Sequence, residues 1–300
     1  MVDSDFSCAP LDSDTINFEL AKLCKGNPKA CSCLEKIHVF ESVDSTNILA
    51  RQEVQKAGRL KDSFGNLTEA ALNLNGSVFI AEHQSAGRGR LGRSFYSPAG
   101  TGLYISLVYV PKAQIENPAL VTACAAVGVC RGLKAACGVE AKIKWVNDLF
   151  YKGKKICGIL TEGVLGEETN QIEAAVVGIG VNICESVEGF PLEIAGTAGS
   201  LFGKMAAPVE RNVFAANIVY EVFNAMDATF SGSSTILDEY RTKSLFVAGQ
   251  QLVVFPVAGS TENSYKAFFS GIDNQARLVV ALPNGSTRYL NSGEVSVVPR

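Results

Sequence analysis

The sequence predicts an α+β protein: a mixed, largely antiparallel sheet carrying helices, followed by a small barrel made of strands alone. Three observations point there. β-Rich segments recur at Val78–Ala81, Leu103–Val110, Ala141–Val146, Ile156–Val164 and Ile172–Ile183. The turns Tyr151–Lys154 and Gly166–Thr169 are too short for crossover helices, so the strands they join run antiparallel. After Ser244 only short strands remain, at Gln251–Val257, Ser264–Ile272, Arg277–Leu282, Thr287–Leu290 and Glu294–Val298, a density that suits a barrel.

The elements follow in order. Residues 1–34 are polar and aperiodic and read as an extension with one short helix over Phe18–Cys24. Lys36–Phe40 is a strand, and Asp44-Ser45-Thr46-Asn47 caps a helix over Ile48–Ala57 that Gly58 closes. Arg59–Gly76 is a polar surface excursion. Asn117 as cap, Pro118 in the first turn and Gly138 at the end delimit a helix that is apolar on most faces and therefore buried. Helices over Val209–Phe230 and Leu237–Lys243 complete a main domain, giving boundaries at 1–34, 35–245 and 246–300.

With 47% hydrophobic and 19% charged residues in 300, the chain can bury one sizeable core and a smaller second module. A formal net charge of −3 argues against binding nucleic acid through the overall field. Nine cysteines without a Cys-x-x-Cys pair, and only His38 and His83, do not complete a zinc site; the pattern suits free thiols in a reducing, cytoplasmic setting. The first twenty residues contain four aspartates and lack the basic start and apolar stretch of a secretory signal. The apolar run Ala119–Val129 stops at Arg131, short of the ~20 residues of a membrane span.

Three clusters carry chemistry. Gly87-Arg88-Gly89-Arg90-Leu91-Gly92-Arg93 sets three guanidinium groups among three glycines. It matches Gly-x-Gly-x-x-Gly, but Ser97-Pro98-Ala99-Gly100 breaks the helix a dinucleotide site requires, and no P-loop occurs in the chain. Such a segment can wrap anions, because glycine admits close backbone approach and arginine forks match carboxylate and phosphate oxygens. Alone, it reads more readily as a solvated basic turn; its company changes that. The second cluster, Lys142-Ile-Lys144-Trp145-Val146-Asn147-Asp148, leads into Gly153-Lys154-Lys155-Ile156-Cys157-Gly158, and a hairpin between them sets Asp148 near Lys155. A carboxylate there can hold Mg²⁺ beside a triphosphate, and a lysine can neutralise reacting anions. Asn-Asp at a strand end is also a common turn former. In the third, Gly178 and Gly180 interrupt the strand Val177–Asn182, as where a ligand passes close or a β-bulge forms.

Together, in this order and preceded by Asp44-Ser45-Thr46-Asn47, the clusters resemble the biotin protein ligases, also called biotin acetyl-CoA-carboxylase ligases, over about residues 36–298. The resemblance implies a class II synthetase-like catalytic domain and a C-terminal SH3-like barrel. It implies a cytoplasmic enzyme that uses ATP and Mg²⁺ to form biotinyl-5′-AMP and then biotinylates a specific lysine of a biotin carboxyl carrier protein or domain. It assigns Ser45, Thr46, Asn47, Gln84, Arg88, Gly89, Arg90, Lys155 and Gly158 to biotin. Gly87, Arg93, Phe95, Asn147, Gly178 and Asn182 fall on the ATP side, with Asp148 as the Mg²⁺ ligand. Lys155, Arg90 and Asp148 are then the catalytic groups, Asp148 doubling as a candidate base for the acceptor lysine. The sequence departs from the family at Phe95 and Val146, where it usually has tryptophan and proline, and at Val298, where arginine is frequent, which puts any nucleotide contact by Arg300 in question.

Two rival functions were weighed. A lipoate or octanoyl ligase shares the fold and reaction logic but expects a Gly-Gly-Gly stretch leading to histidine, which this sequence lacks. A biotin-responsive repressor needs a DNA-reading module, and the 34-residue leader is too short for a winged helix, so the monofunctional type without DNA binding is expected. A homodimer is left open, no membrane is implied, and His38 and His83 read as structural.

Overall fold

The computed structural model describes residues 9–25, 32–166, 169–204, 207–232, 235–256, 264–292 and 295–299. A seven-stranded mixed sheet forms the main body: β1 (Ile37–Val43), β2 (Val78–Gln84), β3 (Gly102–Tyr109), β4 (Lys142–Lys144), β5 (Asp148–Tyr151), β6 (Lys154–Leu165) and β7 (Ile172–Asn182). Their spatial order is β1-β2-β3-β7-β6-β5-β4. Only β1 and β2 are parallel; every other pair is antiparallel. The parallel pair needs a crossover, supplied by α2 (Thr46–Ala57) and α3 (Glu69–Leu74).

Strand alternation sorts the side chains of β7 between two faces. Ala175, Val177, Ile179 and Val181 join the large core beneath α4 (Pro118–Cys137) and α6 (Arg211–Phe230). Ala174 and Val176, pointing the other way, pack with Ala50 and Val54 of α2. Farther along that second face the alternate positions are Gly178 and Gly180, and where side chains stop, a cavity opens. β3 repeats the pattern, with Leu103, Ile105 and Leu107 in the large core.

The expected punctuation of α4 is present. Asn117 Oδ1 accepts from the Ala119 N–H at 3.0 Å, and Gly138 ends the helix in the left-handed region. By length and composition α4 could cross a bilayer, because helical continuity carries it past Arg131 to Cys137. Its apolar window is nevertheless 67% buried within the protein, as suits a core helix. Burial pushes the thiols of Cys124 and Cys130 up to about 12, so both are inert packing groups at neutral pH.

Three readings require correction. The extension 1–34 holds a longer helix than expected: α1 spans Ser13–Cys24, capped by Asp12, whose carboxylate accepts from the Thr15 N–H at 2.7 Å. Ile16, Leu20 and Cys24, spaced by four, bury one face, and the helix packs against α6. The excursion Arg59–Gly76 contains α3, with Thr68 as its cap and with Leu60 and Ala71 in the smaller core. The strand expected over Ala141–Val146 stops at Lys144, and the chain resumes as β5 at Asp148.

The C-terminal strands are β8 (Gln251–Pro256), β9 (Tyr265–Ile272), β10 (Leu278–Ala281), β11 (Thr287–Leu290) and β12 (Val295–Pro299), ordered β11-β10-β9-β8-β12 and wholly antiparallel. This small sheet fits the SH3-like module. The helices α5 (Leu192–Ala195) and α7 (Thr235–Thr242) complete the elements. His38 stacks on Phe79 and His83 Nδ1 lies 3.0 Å from Ser42 Oγ, both structural contacts. Gly293, Glu294 and Arg300 lie outside the described residues.

Candidate active site

A cavity of about 650 Å³ lies on the glycine-bearing face of the sheet. Its floor is set by close approach. A Cβ on Gly178 would come within 2.2 Å of Asn47 Oδ1, and one on Gly180 within 2.4 Å of the Phe95 ring. Gly158 pairs with Gly180 across β6 and β7, and a Cβ there would meet Phe95 and Lys155 at 3.2 and 3.3 Å. The glycines are therefore the price of bringing Asn47, Phe95 and Lys155 down onto the sheet.

One end of the cavity is a buried polar network. Ser45, Thr46 and Asn47 open α2, yet Ser45 makes no side-chain cap bond, and the next two side chains turn to the site. Gln84 Oε1 accepts from the Thr46 N–H at 3.0 Å and from its hydroxyl at 3.1 Å, while Gln84 Nε2 donates to Ser97 Oγ at 2.9 Å. Ser106 Oγ, fully buried on β3, lies 2.8 Å from Thr46 Oγ1 and 2.6 Å from Asn47 Oδ1. The two hydroxyl protons can fill only two of these three oxygen–oxygen contacts, so the network keeps unused acceptor capacity.

The other end is cationic. Arg90, Arg93, Lys144 and Lys155 line it, against the single carboxylate of Asp148. Lys155 Nζ stands 2.6 Å from Asp148 Oδ1, a contact of charge and not an aligned hydrogen bond, since that oxygen has no hydrogen-bond partner. Burial pushes the Lys144 ammonium and the Arg90 guanidinium below their ordinary values, with the Asp148 carboxylate opposing it in both. Such an excess of half-desolvated cations favours a multiply charged anion.

The arginine loop is an ordered hairpin. Gly89 N–H donates to Arg93 O at 2.7 Å, Phe95 N–H donates to Gly87 O at 2.8 Å, and Leu91 and Gly92 turn the chain at φ 57° and 72°. Arg90 donates to Asn147 Oδ1 at 2.9 Å and also to the Ser292 carbonyl at the edge of the C-terminal sheet. Asn147 is held in turn by donating to Ile159 O at 2.9 Å, and Trp145 Nε1 donates to Ala276 O at 2.9 Å. A second cavity of about 280 Å³ is bounded by the same loop with Pro118, Ala119 and Thr122 of α4.

All the residues assigned from sequence to biotin, ATP, metal or catalysis line the main cavity, with one exception. Gly87 stands back from it, where a Cβ would collide with Phe95 O and Ser97 Oγ at 2.5 and 2.7 Å, so its need for glycine is steric. Sequence reasoning missed Phe190, Phe255 and Val297 in the wall, Lys144 as a site residue, and Ser106 in the polar network behind Thr46 and Asn47. No group of three His, Cys, Asp or Glu that could hold a metal occurs among the described residues.

Residues 57–182 match the biotin/lipoate A/B protein ligase family. The bifunctional ligase/repressor BirA of Bacillus spizizenii is 36% identical over 136 residues, 45% of this chain and 41% of that protein; the chain thus matches about two fifths of that relative's length. The biotin–[acetyl-CoA-carboxylase] ligase of Paracoccus denitrificans is 29% identical over 246 residues, 79% of this chain and 95% of that one. Among solved structures, the biotin protein ligase of Aquifex aeolicus in complex with biotin and ATP superposes with a TM-score of 0.68 at 23% identity, covering 89% of this chain and 100% of the other.

Proposed function

We propose that the chain, residues 57–182 of which match the biotin/lipoate A/B protein ligase family, joins biotin to AMP at the expense of ATP and passes the biotinyl group to a lysine of a biotin carboxyl carrier protein or domain. One observation carries the reading: a buried hydrogen-bonding end, a glycine floor and a cationic end are continuous within one cavity.

The polar end around Thr46, Asn47, Gln84 and Ser106 takes the ureido ring, whose N–H and C=O groups need buried partners. The side chain of biotin runs over Gly178 and Gly180, and its carboxylate reaches Lys155. There a carboxylate oxygen attacks the α-phosphorus of ATP and pyrophosphate leaves, yielding the mixed anhydride. Two anions must meet, so Arg90, Arg93, Lys144 and Lys155 act chiefly by holding opposed charge in place beforehand. The acceptor lysine then attacks the acyl carbon, AMP departs, and the amine proton passes to Asp148, the one carboxylate among the lining residues.

The described residues do not supply a cage for a resident metal. Asp148 is a lone carboxylate beside an ammonium, so Mg²⁺ fits as an ion carried in by the nucleotide phosphates, with Asp148 as its single protein ligand. The thiols buried within the core suit a reducing, cytoplasmic setting.

Incubation with ATP, Mg²⁺ and biotin, followed by mass analysis, tests the proposal: biotinyl-AMP should remain bound. Pyrophosphate exchange driven by lipoate and not by biotin would reverse it, and a salt-sensitive shift of duplex DNA would favour a repressor.

A further inference from the structure

Glu162, on β6, ties its strand to two other parts of the site, α2 and the arginine loop. Its Oε1 faces two guanidinium groups, Arg51 of α2 at 3.0 Å and Arg88 of the arginine loop at 3.5 Å. Its Oε2 accepts from Asn47 Nδ2 at 2.8 Å.

Asn47 is 3% exposed, and both protons of its amide are committed. Nδ2 donates to Glu162 and to Leu160 O at 3.2 Å, while Oδ1 takes Ser106 Oγ at 2.6 Å and sits against Gly178. Turned over, the amide would set its oxygen against a carboxylate and a carbonyl with no proton between them. The acceptor oxygen of Glu162, with Leu160 O, therefore decides that the amide oxygen of Asn47 points toward Ser106. The same carboxylate reaches the arginine loop, whose Arg88 side chain is 45% exposed and makes no other ion pair among the described residues.

We propose that Glu162 is a positioning residue for biotin: it sets the orientation of the Asn47 amide and, through Arg88, tethers the arginine loop before the vitamin arrives. The inference rests on reading the cavity as a biotin site. Glu162 is absent from the cavity wall, so it acts through Asn47 and Arg88 without touching substrate.

Two substitutions separate its tasks. Glu162→Gln keeps an acceptor for Asn47 Nδ2 but turns an amide nitrogen toward Arg51 and Arg88, removing the tether alone; Glu162→Ala removes both functions. Two measurements apply: the rate at which trypsin cuts the ligand-free protein after Arg88, Arg90 or Arg93, and KM and kcat in biotin-dependent pyrophosphate exchange. For Glu162→Gln, cleavage and the biotin KM should each rise about threefold, the scale of partly exposed ion pairs, with kcat within about twofold. For Glu162→Ala the biotin KM should rise about tenfold or more, because a buried amide is left free to turn. Unchanged cleavage and KM in both variants, or a matched fall in kcat and thermal stability without a selective rise in KM, overturns the assignment. Equal effects of the two substitutions overturn the Asn47 half of it. Absence of biotin-dependent exchange in the unsubstituted protein rejects the ligase reading instead, and the trypsin measurement then still decides the tether.

Discussion

The ring of Phe95 rests on the bare backbone of Gly180, so close that a Cβ there would lie 2.4 Å from its Cε1. The neighbouring Gly178 stands in the same relation to Asn47 Oδ1, at 2.2 Å. The two contacts differ in how they can yield. Phe95 is partly buried at the end of a loop and can swing aside; Asn47 is locked by hydrogen bonds on both ends of its amide. Gly180→Ala should cost at most about 1 kcal/mol of stability, and Gly178→Ala about 2–3 kcal/mol, within the range for overpacked sites. Both should lower biotin-dependent pyrophosphate exchange at least about tenfold. Thermal unfolding of the two variants side by side checks the difference.

Replacing Lys155 with alanine should harm chemistry far more than folding. The side chain is a third exposed, so losing its pair with Asp148 should cost about 1 kcal/mol or less. Removing a cation from the reacting carboxylate should lower adenylate formation about a hundredfold. Near-normal exchange by Lys155→Ala would refute the assigned role.

The amino-terminal segment depends on a buried ion pair behind β2. Arg211, 2% exposed, grips both oxygens of Glu82 at 2.7 and 3.0 Å and donates to Ala9 O at 3.0 Å, while Leu11 N–H donates to Glu82 at 2.6 Å. Burial pushes the Glu82 carboxyl upward, but the Arg211 and Leu11 hydrogen bonds and the charge of Arg211 outweigh it, and the net shift is downward. The folded protein therefore binds this proton less readily than the unfolded chain. The resulting stability is complete above the ordinary glutamate range and is lost as pH falls toward the depressed folded value. Glu82→Gln should cost about 3 kcal/mol at neutral pH, leaving a buried guanidinium without its counter-charge, and should flatten the acid limb of the stability curve. Hydrogen exchange at the Leu11 amide should accelerate along with it.

Lys144 should give an alkaline signature. Burial holds its ammonium below the ordinary lysine value, so its charge is lost earlier as pH rises. For stability the sign is favourable: between the folded and unfolded values the unfolded chain binds more protons, and stability climbs with pH. For nucleotide binding it is the reverse, and KM for ATP should rise over that interval. Lys144→Arg should abolish this alkaline limb, and an unchanged profile would remove Lys144 from the phosphate end.

The parts legible in the sequence were those whose physics is local. Asn117, Pro118 and Gly138 mark α4 because caps act within a turn, and Asp148 meets Lys155 because a short hairpin leaves little choice. The arginine loop and Gly178 with Gly180 announce themselves by composition. The helix α1 was underread because its apolar face, Ile16, Leu20 and Cys24, is diluted by polar neighbours and is fixed by packing against α6, some two hundred positions away. Ser106 looks like any strand serine until β3 is set beside α2, and Phe255 and Val297 enter the wall only once the C-terminal sheet has docked. Gly87 sits in sequence among residues that line the cavity; the collision that explains its glycine is with Phe95 O and the Ser97 hydroxyl, eight and ten residues on.

The chain's single tryptophan, Trp145, lines the cavity with its indole N–H tied to Ala276. Binding of biotin and nucleotide should alter its fluorescence without any added label, and a silent titration alongside measurable turnover would contradict the placement.

Arg90 and Trp145 both reach past the large sheet to carbonyls of Ser292 and Ala276. On the proposed function, trimming the chain ahead of β8 would therefore not leave a smaller working enzyme. It would untie the loop and the hairpin at once, take Phe255 and Val297 out of the enclosure, and admit solvent to the anhydride that the proposed reaction forms.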